Sequence, residues 1–292
     1  MESGKFYCCG QLLTESNQLG GIFSCCNEMD NSEMAIIVGG FARVATEEKL
    51  LLAIAKKINM PSFVLDWHGL GMSEGNFGDV TVSRLKDDLK KVIWRFLSEG
   101  FSKFHLIGHS LGACAIALLD GENRETNCLN IDKKILLAPA LNQSFLLRYW
   151  FAKENGFDFS ISDWNEDCEK NSAHFNEWIR ERRFCDFGAC WVFEDKFKEY
   201  LQKRKLIKGI SFEPDYWQQE NSMNYLYYLH YDHMIEGVID RKALFLLGEH
   251  DKTVPPESIS FEAPNMYTLD DADHYFTGKE MEVAEIARIF LK

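Results

Sequence analysis

Short, continuous apolar runs alternate with longer amphipathic segments through most of this chain. The apolar runs cover residues 34–38, 62–66, 104–108, 134–137, 243–247 and 265–269. Apolar side chains recur three to four residues apart in residues 46–58, 82–97, 111–119 and 278–291, which predicts helices. Apolar strands that alternate with amphipathic helices predict an α/β fold, with a parallel sheet covered on both faces.

The pattern departs from this rhythm in two places. Residues 5–14 and 21–26 alternate weakly around Gly20 and Gly21, which predicts an antiparallel pair of strands. From about residue 142 to 236, charged and aromatic residues mix without clear strands, and this stretch holds more than half of the aromatic residues. We therefore expect an N-terminal core part at residues 1–141, an inserted lid at 142–235 and a C-terminal core part at 236–292.

The charge balance excludes some classes of partner. The chain has 292 residues with 45 acidic and 32 basic side chains, which gives a formal net charge of −13. A nucleic-acid backbone or an anionic membrane surface would repel such a protein. No apolar run approaches the ~18 residues that a transmembrane helix needs. The first residues lack the basic and apolar regions of a secretory signal, so we expect a cytoplasmic protein.

The nine cysteines predict packing rather than chemistry. Without a signal peptide, they are expected to be reduced thiols that act as small hydrophobic side chains. The doublets at residues 8–9 and 25–26 offer four thiolates, a number that zinc accepts. Adjacent residues on a strand point to opposite faces, however, so each doublet presents a single sulfur to a common site. We therefore predict no metal and no cofactor.

A nucleophile motif lies between a predicted strand and a predicted helix. Residues 108–112 read Gly-His-Ser-Leu-Gly, the G-x-S-x-G pattern with Ser110 at its centre. A nucleophilic serine stands at a sharp, strained strand-to-helix turn, and glycines two residues on either side leave room for the strand and the helix. We therefore predict that Ser110 is the nucleophile.

A serine nucleophile needs a base and a group that orients the base. Asp251 follows the apolar run at 243–247, and His274 follows the run at 265–269. The order serine, acid, histidine is the one that this strand–turn–helix scaffold requires. Competing acids are Glu249, Asp270, Asp271 and Asp273, and competing histidines are His68, His105, His109, His174, His230, His233 and His250. We predict Asp251 and His274 as the catalytic acid and base.

A tetrahedral intermediate also needs two backbone donors aimed at its oxyanion. One is the N–H of Leu111, the residue after the nucleophile. The other is expected in the loop after the first core strand, where Gly39 and Gly40 allow close approach of the backbone. We nominate the N–H of Phe41, although a plain Gly-Gly turn is the alternative.

Together these motifs resemble the α/β-hydrolases, and more narrowly the branch of monoacylglycerol-lipase-like enzymes, serine aminopeptidases and bacterial cinnamoyl or feruloyl esterases. The segments that carry the resemblance are residues 66–75, 108–112, 137–140, 248–251 and 272–276. The resemblance implies the α/β-hydrolase fold over residues 30–141 and 236–292. It implies that the D-x-x-G-x-G-x-S-x-G loop at 66–75 is a scaffold beside the oxyanion loop. Many relatives have His-Gly where this chain has Gly39 and Gly40.

These features predict a serine hydrolase that cleaves carboxylic esters through an acyl-enzyme on Ser110. Thioesters and amides remain open, because the same machinery serves all three substrate classes. A non-catalytic scaffold that binds a small ligand or a protein under its lid is the alternative from another class. The tryptophans of the insertion suit an apolar acyl or aryl pocket of a small-molecule substrate, and they suit equally a core of the lid itself. The candidates are Trp150, Trp178, Trp191 and Trp217.

Overall fold

The computed structural model describes residues 6–7, 19–24, 32–77, 82–119, 129–142, 145–146, 149 and 240–292. Within these residues, eight strands form one sheet. The strands are β1 (Phe6–Tyr7), β2 (Gly21–Ser24), β3 (Glu33–Val38), β4 (Ser62–Leu65), β5 (Lys103–His109), β6 (Ile131–Leu137), β7 (Leu244–Gly248) and β8 (Met266–Leu269). The described α-helices are α1 (Lys49–Lys57), α2 (Val82–Ser98), α3 (Leu111–Leu119) and α4 (Glu280–Leu291), and a 3₁₀ turn spans Pro256–Ser258.

The sheet is mostly parallel. Its strand order is β1-β2-β4-β3-β5-β6-β7-β8, and every pairing from β4 to β8 is parallel. β2 runs antiparallel to both β1 and β4, so the predicted antiparallel pair near the N-terminus is confirmed in a shorter form. The carboxyl ends of β3, β5, β6, β7 and β8 meet at one edge, where ligand sites of open α/β sheets lie.

Apolar side chains on the two faces of the sheet belong to two separate core layers. Met34, Ile36 and Val38 of β3 belong to the layer that also contains the apolar residues of α2 and α3. Ala35 and Ile37, the alternate residues of the same strand, belong to the layer that contains those of α1 and α4. This alternation confirms the predicted α/β class, because both faces of the strand are buried against helices.

Two boundaries differ from the hydrophobic pattern. β6 begins at Ile131 rather than at residue 134, because Ile131 and Lys133 pair with Phe104 and His105 of β5 across a register shift that skips the exposed Asp132. α1 begins at Lys49 rather than at residue 46. The preceding residues form a turn in which the Glu47 N–H donates to the Val44 carbonyl at 2.9 Å.

Several sequence-based expectations fall on other parts of the chain. Apart from Asn142, Phe145, Leu146 and Tyr149, the predicted lid lies outside the described residues, as do the cysteine doublets. Cys114 of α3 is buried in the core. Among the helices that the structure describes, none has the length and apolar character that a bilayer crossing requires.

Candidate active site

Ser110 lies at a sharp turn between β5 and α3, where the motif predicted it. Its φ of 54° is in the left-handed region, which L-residues rarely adopt. The turn is fixed by β6 and by the residues that follow it. The Ser110 N–H donates to the carbonyl of Leu137, the last residue of β6, at 2.8 Å, and the Ser110 carbonyl accepts from the Ala140 N–H at 3.3 Å. A strained turn of this kind presents the Ser110 side chain at the carboxyl edge of the sheet.

The two glycines of the motif make this turn possible. A Cβ atom at Gly108 would lie 2.6 Å from the backbone nitrogen of Ala113, and one at Gly112 would lie 2.6 Å from the Gly39 carbonyl oxygen. Real side chains do not approach backbone atoms so closely, so the strand and the helix reach their positions only with glycine at both sites. The steric reason that the sequence suggested for G-x-S-x-G is thereby confirmed.

Ser110, His274 and Asp251 form a continuous chain of hydrogen bonds. Nδ1 of His274 lies 2.7 Å from Oδ2 of Asp251, and Nε2 of His274 lies 3.1 Å from Oγ of Ser110. A carboxylate only accepts, so Nδ1 carries the proton and, in the neutral imidazole, Nε2 accepts from the serine hydroxyl. All three side chains are buried. Shielding from water strengthens each of these hydrogen bonds.

Asp251 is held by its own loop as well as by His274. Its second oxygen, Oδ1, accepts from the N–H groups of Thr253 at 2.8 Å and Val254 at 2.7 Å. Gly248 allows this loop to pack closely against the loop at residues 270–279 that carries His274, called here the histidine loop. A Cβ atom at residue 248 would lie 2.6 Å from the Ala272 carbonyl oxygen. The carboxylate therefore has a fixed orientation before any substrate binds.

The competing carboxylates serve other contacts. Oδ1 of Asp273 accepts from Tyr275 at 3.0 Å and Thr277 at 2.8 Å, which shapes the turn after His274. Glu249 accepts from the Asp271 N–H at 2.9 Å. Of the carboxylates in the described part of the chain, Asp251 is the one hydrogen-bonded to His274.

The loop after β3 approaches Ser110 closely. A Cβ at Gly40 would lie 2.9 Å from the Ser110 Cβ and 3.4 Å from its Oγ. The Arg43 N–H donates to the Gly40 carbonyl at 3.3 Å, and Ala42 has a φ of 54°, so residues 40–43 form a tight turn that includes Phe41. Leu111 is the first residue of α3, where an N–H has no acceptor within the helix.

The loop at residues 66–75 supports the Gly39–Gly40 loop from behind. The Trp67 indole N–H donates to the Gly39 carbonyl at 2.8 Å. Asp66 is fully buried, and its carboxylate accepts from the Ala45 N–H at 2.7 Å and the Met72 N–H at 2.9 Å. These contacts agree with the scaffold role that the resemblance implied.

His109, the residue before Ser110, contacts the loop that carries His274. Its Nε2 lies 2.7 Å from the His274 carbonyl oxygen, and the two imidazole centroids are 4.8 Å apart. From the sequence, His109 is only a competing histidine, and no partner is predicted for it. The residues are 165 positions apart, so no spacing in the sequence signals the contact.

The first residues of the predicted lid pack on the loop that carries Asp251. Phe145 and Leu146 form a buried apolar cluster with Val254, whose N–H binds Asp251. Tyr149 packs against this cluster and stacks on Phe145 with centroids 6.3 Å apart. The nominated pocket residues Trp150, Trp178, Trp191 and Trp217 lie outside the described residues.

One group of described side chains has the spacing of metal ligands. Ligand atoms of Glu249, His250 and Asp271 lie within 4.8 Å of one another, and all three residues are exposed. Nδ1 and Nε2 of His250 face different carboxylates, at 3.9 Å and 3.8 Å. The group is therefore an exposed cluster in which one imidazole lies between two carboxylates.

Comparison with known proteins agrees with this architecture. A family model described as the alpha/beta hydrolase family matches residues 50–288. No curated protein matches the chain by sequence.

Solved structures match along nearly the whole chain at low sequence identity. Est1E from Butyrivibrio proteoclasticus, solved with ferulic acid bound, has 16% identity and a TM-score of 0.62, covering 97% of this chain and 98% of its own. An esterase from Pyrococcus furiosus has 15% identity and a TM-score of 0.58, with coverages of 99% and 91%. A proline iminopeptidase-related protein from Thermus thermophilus has 19% identity and a TM-score of 0.55, with coverages of 97% and 96%. At these identities the likeness establishes the fold alone.

Proposed function

The chain belongs to the alpha/beta hydrolase family, and from this premise we propose that it is a serine hydrolase that cleaves carboxylic esters. The observation that carries the proposal is the buried hydrogen-bond chain from Asp251 through His274 to Ser110. Such a chain supplies what an unactivated serine lacks, namely an adjacent base that is itself oriented by a carboxylate.

In the proposed reaction, His274 accepts the hydroxyl proton at Nε2 while the Ser110 Oγ attacks the ester carbonyl. Asp251 holds the ring in the required tautomer and stabilises the imidazolium that forms. His274 then returns the proton to the leaving alcohol, and an acyl-enzyme remains on Ser110. Water, deprotonated by the same histidine, attacks the acyl carbonyl and releases the acid.

Two backbone amides are proposed to stabilise the oxyanion of each tetrahedral intermediate. The N–H of Leu111 lies at the first turn of α3, where the helix dipole favours negative charge. The Phe41 N–H belongs to the tight turn next to Gly40, whose missing Cβ leaves space beside the Ser110 Oγ. Donors that are fixed before the reaction cost no reorganisation when charge develops.

The ester class has support from fold relatives and from the aromatic residues near the site. The structural neighbours include an esterase and a protein that binds ferulic acid, an aromatic acid. Phe41 contacts Phe77 with ring centroids 5.4 Å apart, directly beside the proposed oxyanion donor. We therefore propose an apolar acyl or aryl group on the substrate, with thioesters and amides as the neighbouring substrate classes.

The test is covalent labelling by a fluorophosphonate probe, followed by turnover. The wild type should be labelled, and Ser110→Ala should not be, whereas the exposed Ser98→Ala serves as a matched control that keeps its label. A panel of p-nitrophenyl esters of increasing acyl length, with the thioester and anilide of one acid, then ranks the substrate classes. Ser110→Ala should lower kcat by at least about 10³-fold.

Two results would overturn the proposal. Labelling that persists in Ser110→Ala would place the nucleophile elsewhere. A wild type with neither labelling nor turnover, but with tight binding of a small acid or ester, would instead indicate a non-catalytic ligand-binding scaffold.

A further inference from the structure

His109 is a buried polar residue that has no role in the proposed mechanism. It is the last residue of β5, its side chain is buried, and it directly precedes Ser110. Its ring lies between two loops of the site. Nε2 contacts the main chain of the histidine loop. Nδ1 faces the loop after β3, because a Cβ atom at Gly40 would lie 3.4 Å from it.

The hydrogen bond of His109 defines its tautomer. A backbone carbonyl only accepts, so Nε2 carries the proton and donates to the His274 carbonyl at 2.7 Å. Nδ1 then carries the lone pair, and among the described residues it has no hydrogen-bond partner. Burial lowers the pKa of His109 to about 3, so the ring stays neutral at any pH at which an ester hydrolase of this kind would be assayed.

We propose that His109 is a positioning residue that fixes the general base through its backbone: the imidazole N–H ties the His274 carbonyl to the strand that carries the nucleophile. This inference rests on the proposed function. Ser110 and His274 are then joined by two routes. One is the direct bond from Oγ to Nε2, and the other runs through the main chain of residue 109 and its side-chain donor.

The geometry gives a reason why one route is insufficient. Asp251 holds the His274 ring at Nδ1, but this contact does not reach the main chain of residue 274. The loop that follows includes Tyr275, which is half exposed, and the Arg43 guanidinium lies 4.1 Å above the Tyr275 ring. The buried bond from His109 is a fixed point at the inner side of this loop, directly behind the base.

A pair of variants of equal length separates hydrogen bonding from packing. Glutamine places an amide N–H four bonds from Cα, as the imidazole does with Nε2. Methionine fills a similar length without a donor. If the donor positions the base, His109→Met should lower kcat by about 10- to 100-fold, the scale that a misplacement of one ångström costs, with KM within about twofold. His109→Gln should recover most of this loss.

His105 provides the matched control. It lies four residues earlier on the same strand, it is equally buried, and its Nε2 lies 3.3 Å from Glu33 at the opposite end of the sheet. His105→Gln and His105→Met should change the melting temperature while kcat stays within about twofold of the wild type. If loss of any buried histidine from β5 lowered kcat, the Gln and Met variants of His105 would lose activity as well as those of His109.

The outcomes distinguish this inference from the proposed function. If the wild type is labelled by the fluorophosphonate and the Met and Gln variants turn over equally, the positioning role of His109 is wrong and the serine mechanism stands. If the wild type is neither labelled nor active, both fail. Should His109→Met not fold, His109→Asn replaces it, because its amide is one bond too short to reach the carbonyl. An Asn variant as active as Gln would overturn the inference.

Discussion

The carboxylate of Asp251 uses both oxygens, one for His274 at 2.7 Å and the other for two backbone N–H groups of its own loop. An amide in this place would present an NH₂ group either to the imidazole or to those backbone donors. If the NH₂ group faced the backbone, it would oppose the two backbone donors. If it faced the imidazole, it would oppose the Nδ1–H group or force His274 into the tautomer that cannot accept the serine proton.

Replacement of this carboxylate should therefore lower turnover more than binding. For Asp251→Asn we expect kcat to fall on the order of 10³- to 10⁴-fold, with a smaller change in KM. The control is Asp270→Asn, which removes the same charge four residues before His274, and it should stay within about threefold of the wild type. Equal losses in the two variants would show that net negative charge, and not the contact with His274, supports turnover.

Gly40 should tolerate no side chain, in contrast to its neighbour. A Cβ at Gly40 would lie 2.9 Å from the Ser110 Cβ, whereas a Cβ at Gly39 would lie 3.3 Å from two side-chain carbons. We expect Gly40→Ala to lower kcat/KM by more than about 10²-fold, because a shift of the loop misplaces a proposed oxyanion donor. Gly39→Ala should lose far less. Steady-state kinetics of both variants checks this, and a reversed order would contradict it.

The left-handed backbone conformation of Ser110 should lower the free energy of unfolding. Its φ of 54° is unfavourable for any residue with a Cβ, by about 1–2 kcal/mol. Both Ser110→Gly and Ser110→Ala should be inactive, but glycine adopts this conformation freely. We expect the Gly variant to have the larger free energy of unfolding, by about 1 kcal/mol, in urea denaturation. A more stable Ala variant would indicate that the turn is relaxed.

His68 should make the stability of the protein depend on pH. Its side chain is buried, and Nη2 of Arg84 donates to its Nδ1 at 3.3 Å. Burial, together with the cations Arg84 and Lys91, lowers the pKa of His68 to about 4. The folded state thus favours the neutral ring, while the unfolded chain takes up a proton below about pH 6.5.

The sign of the dependence follows from this difference. Between about pH 6.5 and pH 4 the unfolded state binds more protons, so the free energy of unfolding should fall as the pH falls, by up to about 1.4 kcal/mol per pH unit from this group. His68→Gln should reduce that slope in urea titrations at pH 5, 6 and 7. An unchanged slope would show that the pKa of His68 is the same in the folded protein and in the unfolded chain.

Local patterns were sufficient for the parts of the fold that depend on burial. All eight described strands and four described helices lie where apolar runs, weak alternation or helical periodicity predicted them. The parallel strands are recognisable because strands buried on both faces have few polar positions. The G-x-S-x-G motif located Ser110, and chain order located Asp251 and His274. The motif carries its signal because a steric requirement acts on neighbouring residues, whereas the order of the three residues follows from the strand order of the sheet.

The contacts that the sequence did not predict join distant positions. The hydrogen bond from His109 to His274 depends on how two loops meet at the edge of the sheet, and neither loop has a pattern that records it. The extension of β6 to Ile131 was missed because Asp132 and Lys133 interrupt the apolar run, although Ile131 and Lys133 still pair with β5 across a register shift.

The pairing of β6 with β7 divides the site between two pieces of the chain. Ser110 and Gly40 precede this junction, and Asp251 and His274 follow it. The two strands meet in three register pairs from Ile135–Leu244 to Leu137–Leu246. A polypeptide cut between residues 150 and 239 would leave Ser110 and His274 on separate fragments. Turnover of the proposed ester substrate by a mixture of the two fragments would then report their association, so this junction is a natural place to build a split reporter enzyme.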